Sequence, residues 1–213
     1  MSAAAHAVSA IQRHLEAIYA VEAGCEIERF LIDDAAVGEL VELGVLGPEH
    51  VGADEQVLVL PGDGGLELAL HLGDEVQSGL ATGPSLQDHC HATEGVSHVM
   101  MLLRAVREQR PVRLLDLEFQ AEVDKAATCL LLRLGTPTGT DSLLHRLFGD
   151  GVTLSPTLTP EERDRYREAH RLGARYAGHL ASLLTEGVDR LLTELRRFYR
   201  LSAEGKRAHA RAA

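Results

Sequence analysis

Residues 89–98 carry the densest group of side chains able to bind a metal, in the order His-Cys-His-Ala-Thr-Glu-Gly-Val-Ser-His. If this segment is helical, His91, Glu94 and His98 are spaced by three and four residues and therefore share one face. Two imidazoles and a carboxylate form the ligand set of non-haem iron and of several zinc sites. The spacing therefore predicts a transition-metal site, for iron, zinc or manganese, on this helix.

A second group of acidic side chains follows in the next expected helix. Glu118 and Glu122 are four residues apart, which places them on one helical face, and Lys125 lies a turn later. If this face meets the face of the first helix, two histidines and up to three glutamates would enclose an interior site. The complete metal prediction comprises His91, Glu94, His98, Glu118 and Glu122.

The same residues also fit a structural polar network that holds no metal. The di-iron bundle pattern requires two Glu-x-x-His pairs, and the zinc-protease pattern His-Glu-x-x-His is absent from the sequence. In this alternative, a glutamate of the second group pairs with Lys125, Arg104 or His98 and holds the helices in register. Gly95 supports either interpretation, because a glycine inside a helix costs about 1 kcal/mol and indicates the close approach of another group.

No complete signature of a known catalytic site is present in the sequence. Gly-x-Ser-x-Gly is missing, and residues 61–65 lack the Gly-Lys-Ser/Thr of a phosphate-binding loop and precede a strand. Cys90 lies between two histidines, but adjacent residues on a helix point in different directions. These absences favour a non-enzymatic adaptor or regulatory protein, and the alternative is a metal-dependent helical enzyme or a metal sensor.

The elements that would position these groups form a predominantly helical α+β fold. Residues 57–60 are continuously apolar, turn residues follow, and leucines occupy alternate positions from 66 to 72. This pattern predicts a small antiparallel β-hairpin sheet, for which residues 27–32 are the best candidate for a third strand. The sheet is expected near the N-terminal helices, predicted at residues 4–23 and 34–43.

Helices account for the remainder of the predicted fold. Ser85 is an N-cap residue for a helix over residues 87–107, and Pro111 separates this helix from a second one over residues 112–134. The short connection predicts a central antiparallel helix pair that forms the main core. Residues 159–162 (Thr-Pro-Glu-Glu) form a capping-box sequence that begins a long C-terminal helix.

The end of the chain carries an apolar stripe suited to association. Beyond Tyr176 the apolar positions are three or four residues apart, close to the 3.5-residue period of a coiled coil. The stripe predicts a surface that binds a protein partner or a second copy of the chain, with a homodimer expected. Its predicted contact residues are Leu184, Val188, Leu191, Leu195 and Phe198. The alternative is that the stripe packs on the protein's own core.

Charge is distributed unevenly along the 213 residues. The chain has 32 acidic and 21 basic residues and a net charge of −11, yet residues 161–213 hold 12 basic against eight acidic residues. An acidic molecule repels phosphate, and an aromatic content of 4% offers little for base stacking, so we expect no nucleic-acid partner. The opposed charges of the two ends suit contacts with proteins.

Compartment and domain organisation follow from composition. No apolar stretch approaches the roughly 18–20 residues needed to cross a bilayer, and no signal peptide is recognised, so no membrane contact is expected. Three widely spaced cysteines fit neither a disulfide scaffold nor a paired Cys-x-x-Cys zinc site and favour a reducing cytoplasm. We expect an α+β core domain over residues 1–135, with a linker and helical region over residues 136–213 packed on it.

Overall fold

The computed structural model describes residues 2–62, 65–132, 139–149 and 158–213. The predicted class, a predominantly helical α+β fold, is confirmed. The described residues form the strands β1 (Leu31–Ile32), β2 (Glu55–Gly62) and β3 (Gly65–Leu72), and the helices α1 (Ala3–Tyr19), α2 (Asp34–Glu42), α3 (Asp74–Thr82), α4 (Leu86–Arg107), α5 (Leu114–Leu132), α6 (Thr140–Phe148), α7 (Pro160–Glu186), α8 (Val188–Arg200) and α9 (Ala203–Ala212). Among these helices, none is both long and apolar enough to cross a membrane.

Two compact units divide the chain. Unit 1 comprises Met1–Arg13 and Ala23–Glu108, and unit 2 comprises His14–Glu22 and Gln109–Ala213. Helix α4 belongs to unit 1 and α5 to unit 2, so their predicted antiparallel pairing stays a prediction. The predicted domain boundary at residues 135–136 lies outside the described residues, as do the centre of the predicted hairpin turn and most of the predicted linker segments.

Unit 1 is built on a three-stranded sheet with the order β1-β3-β2. Strands β2 and β3 form the predicted antiparallel hairpin, in which Val57 pairs with Leu70. The third strand lies within the predicted segment but runs parallel to β3, with Leu31 opposite Leu70. The sheet is therefore mixed rather than purely antiparallel, because α2 follows β1 and provides the crossover that parallel strands require.

Alternating side chains give this sheet two different faces. On one face, Leu58 and Ala69 form a small core with Val37 of α2, extended by the partly buried Ile32, Leu46 and Leu60. On the other face, a Cβ atom at Gly95 of α4 would lie 2.4 Å from Leu70 Cδ1. The glycine inside α4 therefore allows the helix to approach the sheet closely, as its position in the sequence indicates.

Unit 2 has its core between α5 and α7. Phe119 of α5 and Tyr176 of α7 are each at most 1% exposed. A Cβ atom at Gly173 would lie 2.5 Å from Glu122 Cβ, so the glycine sets how closely the two helices pack. The predicted capping box of α7 is present, since Thr159 Oγ1 accepts a hydrogen bond from Glu162 N (3.2 Å) and Glu162 Oε2 accepts one from Thr159 N (2.9 Å).

The long C-terminal helix is interrupted at Gly187, which has φ +131°. A side chain is rarely tolerated at such a φ, so the residue separates α7 from α8. A second break precedes α9, where Ser202 Oγ accepts a hydrogen bond from Gly205 N (3.1 Å) and caps a new helix. The apolar stripe predicted on one helix is therefore divided between α7 and α8.

Two glycines of α7 give a matched test of the packing. Gly173→Ala places a methyl group against Glu122 Cβ, which cannot move without its backbone, and should lower the free energy of unfolding by about 1–3 kcal/mol. Gly178 has no atom within 4 Å of the added Cβ, so Gly178→Ala should raise it by about 0.5–1 kcal/mol. Urea unfolding of both variants measures the difference, and equal effects would contradict the assigned helix contact.

Candidate metal centre

Helix α4 presents three of the predicted ligands on one face. Its start is fixed by a capping box, in which Ser85 Oγ accepts from Asp88 N (3.1 Å) and Asp88 Oδ2 accepts from Ser85 N (2.8 Å). The helix then continues without interruption through the segment that holds His91, Glu94 and His98. One ligand atom of Glu94 and one of His98 lie within 4.8 Å of each other. The predicted helical face therefore exists, and unit 1 contains a possible metal-binding His/Glu group.

The sheet adds a carboxylate that the sequence analysis missed. Glu55 is the first residue of β2 and pairs with Leu72, so its side chain shares the face of Val57 and Leu70 that lies against α4. Its Oε1 atom lies 3.8 Å from His98 Nδ1, and the side chain is only 9% exposed. A Cβ atom at Gly95 would be 3.0 Å from the same oxygen, so the glycine also makes room for this carboxylate.

Glu55 Oε1 is buried, and it accepts no hydrogen bond from any residue that the structure describes. A buried polar atom without a hydrogen bond costs about 1–3 kcal/mol, and more when the group is charged. Burial raises the pKa of the Glu55 carboxyl, and the charge of Glu94 raises it further, whereas His98 and His91 act in the opposite direction. The carboxylate thus lies in a place that favours a nearby cation.

Glu55, Glu94 and His98 are named here the α4 cluster. His91, one helical turn before Glu94, acts electrostatically on Glu55. His91 Nε2 is 3.8 Å from Asp54 Oδ2, and the Asp54 side chain is 62% exposed. This distance is too long for a direct hydrogen bond, which requires about 2.7–3.2 Å.

The distance between Glu55 and His98 is compatible with coordination. Two ligand atoms about 2.1 Å from one tetrahedral ion are about 3.4 Å apart. The distance of 3.8 Å between Glu55 Oε1 and His98 Nδ1 exceeds that value by only a few tenths of an ångström. A small change of side-chain torsion would therefore bring both atoms to a common ion.

A second polar network in unit 1 is hydrogen-bonded throughout, unlike Glu55 of the α4 cluster. His71 is completely buried, its Nε2 lies 2.8 Å from Asp34 Oδ1, and Gln56 Nε2 lies 3.2 Å from its Nδ1. The Gln56 amide also donates to His50 O at 2.8 Å. All these contacts are satisfied when Gln56 donates to Nδ1 and Nε2–H donates to Asp34. This network links α2 to the hairpin and satisfies the buried His71.

The two glutamates of α5 have partners inside unit 2. Glu118 Oε1 is 3.9 Å from Arg165 Nε, while Glu122 Oε1 lies 3.3 Å from Lys125 Nζ and 3.4 Å from His170 Nδ1. Glu122 therefore pairs with Lys125, one of the partners predicted for it, but both residues lie in α5, so the predicted role in holding two helices in register stays a prediction. Their participation in a joint site with the histidines of α4 stays a prediction, because these residues belong to the other unit.

The five residues of the C-terminal stripe differ in solvent exposure. Leu191, Leu195 and Phe198 are completely buried, Leu184 is half-buried and Val188 is 48% exposed. Phe198 stacks on Tyr176 with ring centroids 4.2 Å apart. Most of the stripe thus packs inside unit 2, as the alternative interpretation anticipated, and association through the remaining residues stays a prediction.

One signal in the sequence could have located Glu55. The residue continues the alternation of Val57 toward the start of the strand, so it is an acidic residue at an inward position of a half-buried hairpin. Nothing in the sequence shows that this position faces His98, because that contact depends on how α4 packs on the sheet. No protein-family model matches the chain, and neither the curated proteins nor the solved structures contain a significant match.

The contact between His170 and Glu122 makes the stability of unit 2 depend on pH. The hydrogen bond with Glu122 raises the pKa of His170, partly opposed by burial and by Lys125. The contact therefore stabilises the fold fully below the unfolded pKa of about 6.5 and is lost as the pH rises through the higher folded value. Urea unfolding near pH 6 and pH 8.5 should show this loss in the native chain and a smaller one in His170→Gln. The exposed His145→Gln is the control, and an equal pH dependence in both variants would contradict the assignment.

Proposed function

We propose that unit 1 binds a divalent transition-metal ion, of iron, zinc or manganese, through Glu55, Glu94 and His98. The observation that supports this most directly is the buried Glu55 Oε1, which has no hydrogen bond among the described residues and faces an imidazole at 3.8 Å. This function corresponds to the metal-dependent alternative predicted from the sequence. Glu94 and His98 are retained as ligands, Glu55 is added, and His91, Glu118 and Glu122 are not among the ligands proposed here.

The distance between Glu55 and His98 favours a bound ion over a simple ion pair. Glu55 and Glu94 bring two potential negative charges to the α4 cluster, and His98 brings one imidazole. A direct charged pair would also close to about 2.7–2.9 Å, which is far shorter than the observed 3.8 Å. A divalent cation satisfies both carboxylates and leaves the imidazole neutral, as coordination requires.

The ligand types restrict the choice of metal. Two carboxylate oxygens and one imidazole nitrogen suit zinc, iron and manganese, whereas a soft site for copper(I) would contain thiolate or thioether ligands. Three protein ligands leave at least one coordination position for water, as in catalytic zinc sites. We propose that His91, which lies one helical turn before Glu94, hydrogen-bonds such a water or orients a ligand.

Metal binding is tested on the full chain. We expect elemental analysis of protein purified without chelators to find about one metal ion per chain. Added Zn²⁺ or Mn²⁺ should stabilise the metal-free protein, by about 2.7 kcal/mol at 100 times the Kd. Glu55→Gln and His98→Ala should abolish this stabilisation, while His6→Ala, which removes an exposed histidine in unit 1, should retain it.

The Glu55→Gln variant also separates the two interpretations of the cluster. If a metal is the natural partner, the metal-free variant is as stable as the native chain or more stable, because a neutral amide replaces a buried charge. If Glu55 serves only to pair with His98, the same change removes one partner and destabilises the fold. A destabilised variant together with no metal in the native chain would overturn the proposal.

Association is the second proposed role, and Val188 is the residue that favours it. Its side chain is 48% exposed at the start of α8, close in sequence to the half-buried Leu184. We propose that these two residues contact a protein partner or a second copy of the chain. The net charge of −11 supports a protein rather than a nucleic acid as the partner. The odd number of cysteines and their spacing support a cytoplasmic location.

Gel filtration with light scattering tests this role. If the chain forms a homodimer through this surface, Val188→Asp should shift the mass toward the monomer because a charge enters the contact. Thr193→Asp changes an exposed residue of the same helix and should have no effect. Leu191 is unsuitable for this test, since it is completely buried and Leu191→Asp would disturb the fold. A mass that Val188→Asp leaves unchanged would contradict homodimerisation through this residue.

A further inference from the structure

The last helix, α9, contacts the other helices of unit 2 mainly through charged side chains. Its basic residues each meet an acceptor on α5, α7 or α8, and three of these acceptors are carboxylates. The four contacts are Lys206 Nζ to Gln120 Oε1 (2.5 Å), Arg207 to Asp116, His209 to Glu194, and Arg211 Nη2 to Glu168 Oε1 (3.1 Å). The acceptors come from three helices, so together they form a surface that we name the acidic cradle.

The acidic cradle has an aromatic floor. Lys206 is 5% exposed, and its Nζ lies 5.0 Å from the ring of Tyr199 and 5.6 Å from the ring of Phe198. A cation over an aromatic face is attracted by about 0.5–2 kcal/mol, depending on how far it is desolvated. The floor therefore also favours a positive charge.

Apolar contacts contribute little to the attachment of α9. All residues of this helix are described, and Ala210 is the only apolar one that is buried. An alanine methyl group removes far less apolar surface from water than the leucines of α8 do. Charge complementarity therefore accounts for most of the specificity with which α9 occupies the cradle.

The helix is also connected as a separate element. Leu201 and Ser202 are both extended, and Ser202 caps the new helix with its own side chain. Since α8 ends before this connection, α9 can leave the cradle without unwinding α8. Helix α9 is thus a short, basic, self-capped segment at the end of the chain, seated on an acidic surface.

We propose that the acidic cradle is a docking site for a basic helical segment of a protein partner, and that α9 is the resident segment which that partner displaces. The partner segment would carry cations at the spacing of Lys206, Arg207 and Arg211, because these match the aromatic floor and the carboxylates. This role concerns unit 2 and goes beyond the metal site proposed for unit 1.

A peptide added to the full-length chain tests the proposal. The probe is a fluorescent peptide with the sequence of residues 202–213, and its binding is followed by fluorescence polarisation. Because α9 already fills the cradle, the native chain should bind the peptide weakly. The double variant Arg207→Gln/Arg211→Gln weakens the resident helix and should bind the peptide several-fold more tightly. Increased salt should weaken this binding, since it screens the charge pairs.

Variants of the cradle provide the matched control. In the double-variant background, Glu168→Gln and Asp116→Asn should each reduce peptide affinity several-fold, whereas Glu161→Gln, an exposed position of α7, should not. A peptide with the same composition in scrambled order should bind less tightly. Equal affinity for the native chain and the double variant, or equal affinity for the cradle and control variants, would overturn the proposal.

Hydrogen exchange on the unmodified chain gives an independent measurement. If α9 leaves the cradle on its own, its amides should exchange faster than those of α8, and a rise from about 0.05 to about 0.5 M NaCl should accelerate them selectively. Protection of α9 equal to that of α8 at both salt concentrations would show that the helix does not detach, and would also overturn the proposal.

Discussion

Removing a carboxylate from water is costly unless something positive is placed beside it, and this cost organises the site in unit 1. Glu55 begins a strand whose next inward residue, Val57, belongs to an apolar face, so the fold carries its carboxyl group under α4. Gly95 provides the space, and His98 lies opposite at a distance too long for a hydrogen bond. The strand register, the helical glycine and the histidine spacing all have one explanation if a cation occupies the remaining gap.

Unit 2 contains a network in which buried polar groups satisfy each other. Tyr19 and Gln120 both donate hydrogen bonds to Asp124, and Lys206 donates to Gln120, although all four residues are at most 5% exposed. Such a network is favourable only when its members are satisfied together. Each unit thus contains a satisfied network, around His71 in unit 1 and around Asp124 in unit 2, and Glu55 Oε1 belongs to neither.

The local features of the fold could be predicted from the sequence, and the long-range ones could not. Ser85 and Thr159 start their helices because a capping box needs only residues three positions apart. The break at Gly187 does not follow from the sequence, because a glycine inside a helical pattern permits either continuation of the helix or a positive φ. The spacing of Leu191 and Leu195 does not predict their burial, since a stripe that binds a partner and one that packs on the protein's own core have the same period. The role of Glu55 depends on a contact between a strand and a helix 43 residues further on at His98, which no local pattern encodes.

The parallel strand β1 has a consequence for the order in which unit 1 can assemble. The hairpin closes between Gly62 and Gly65, but Leu31 pairs with Leu70, 39 positions further along the chain. Closing the longer loop costs about 2 kcal/mol more in chain entropy, and a strand of two residues returns few hydrogen bonds for it. What retains β1 is the anchoring of Ile32 in the small core beneath Val37. The crossover helix α2 thus supplies the packing that stabilises the third strand. The hairpin supplies the strand with which β1 pairs.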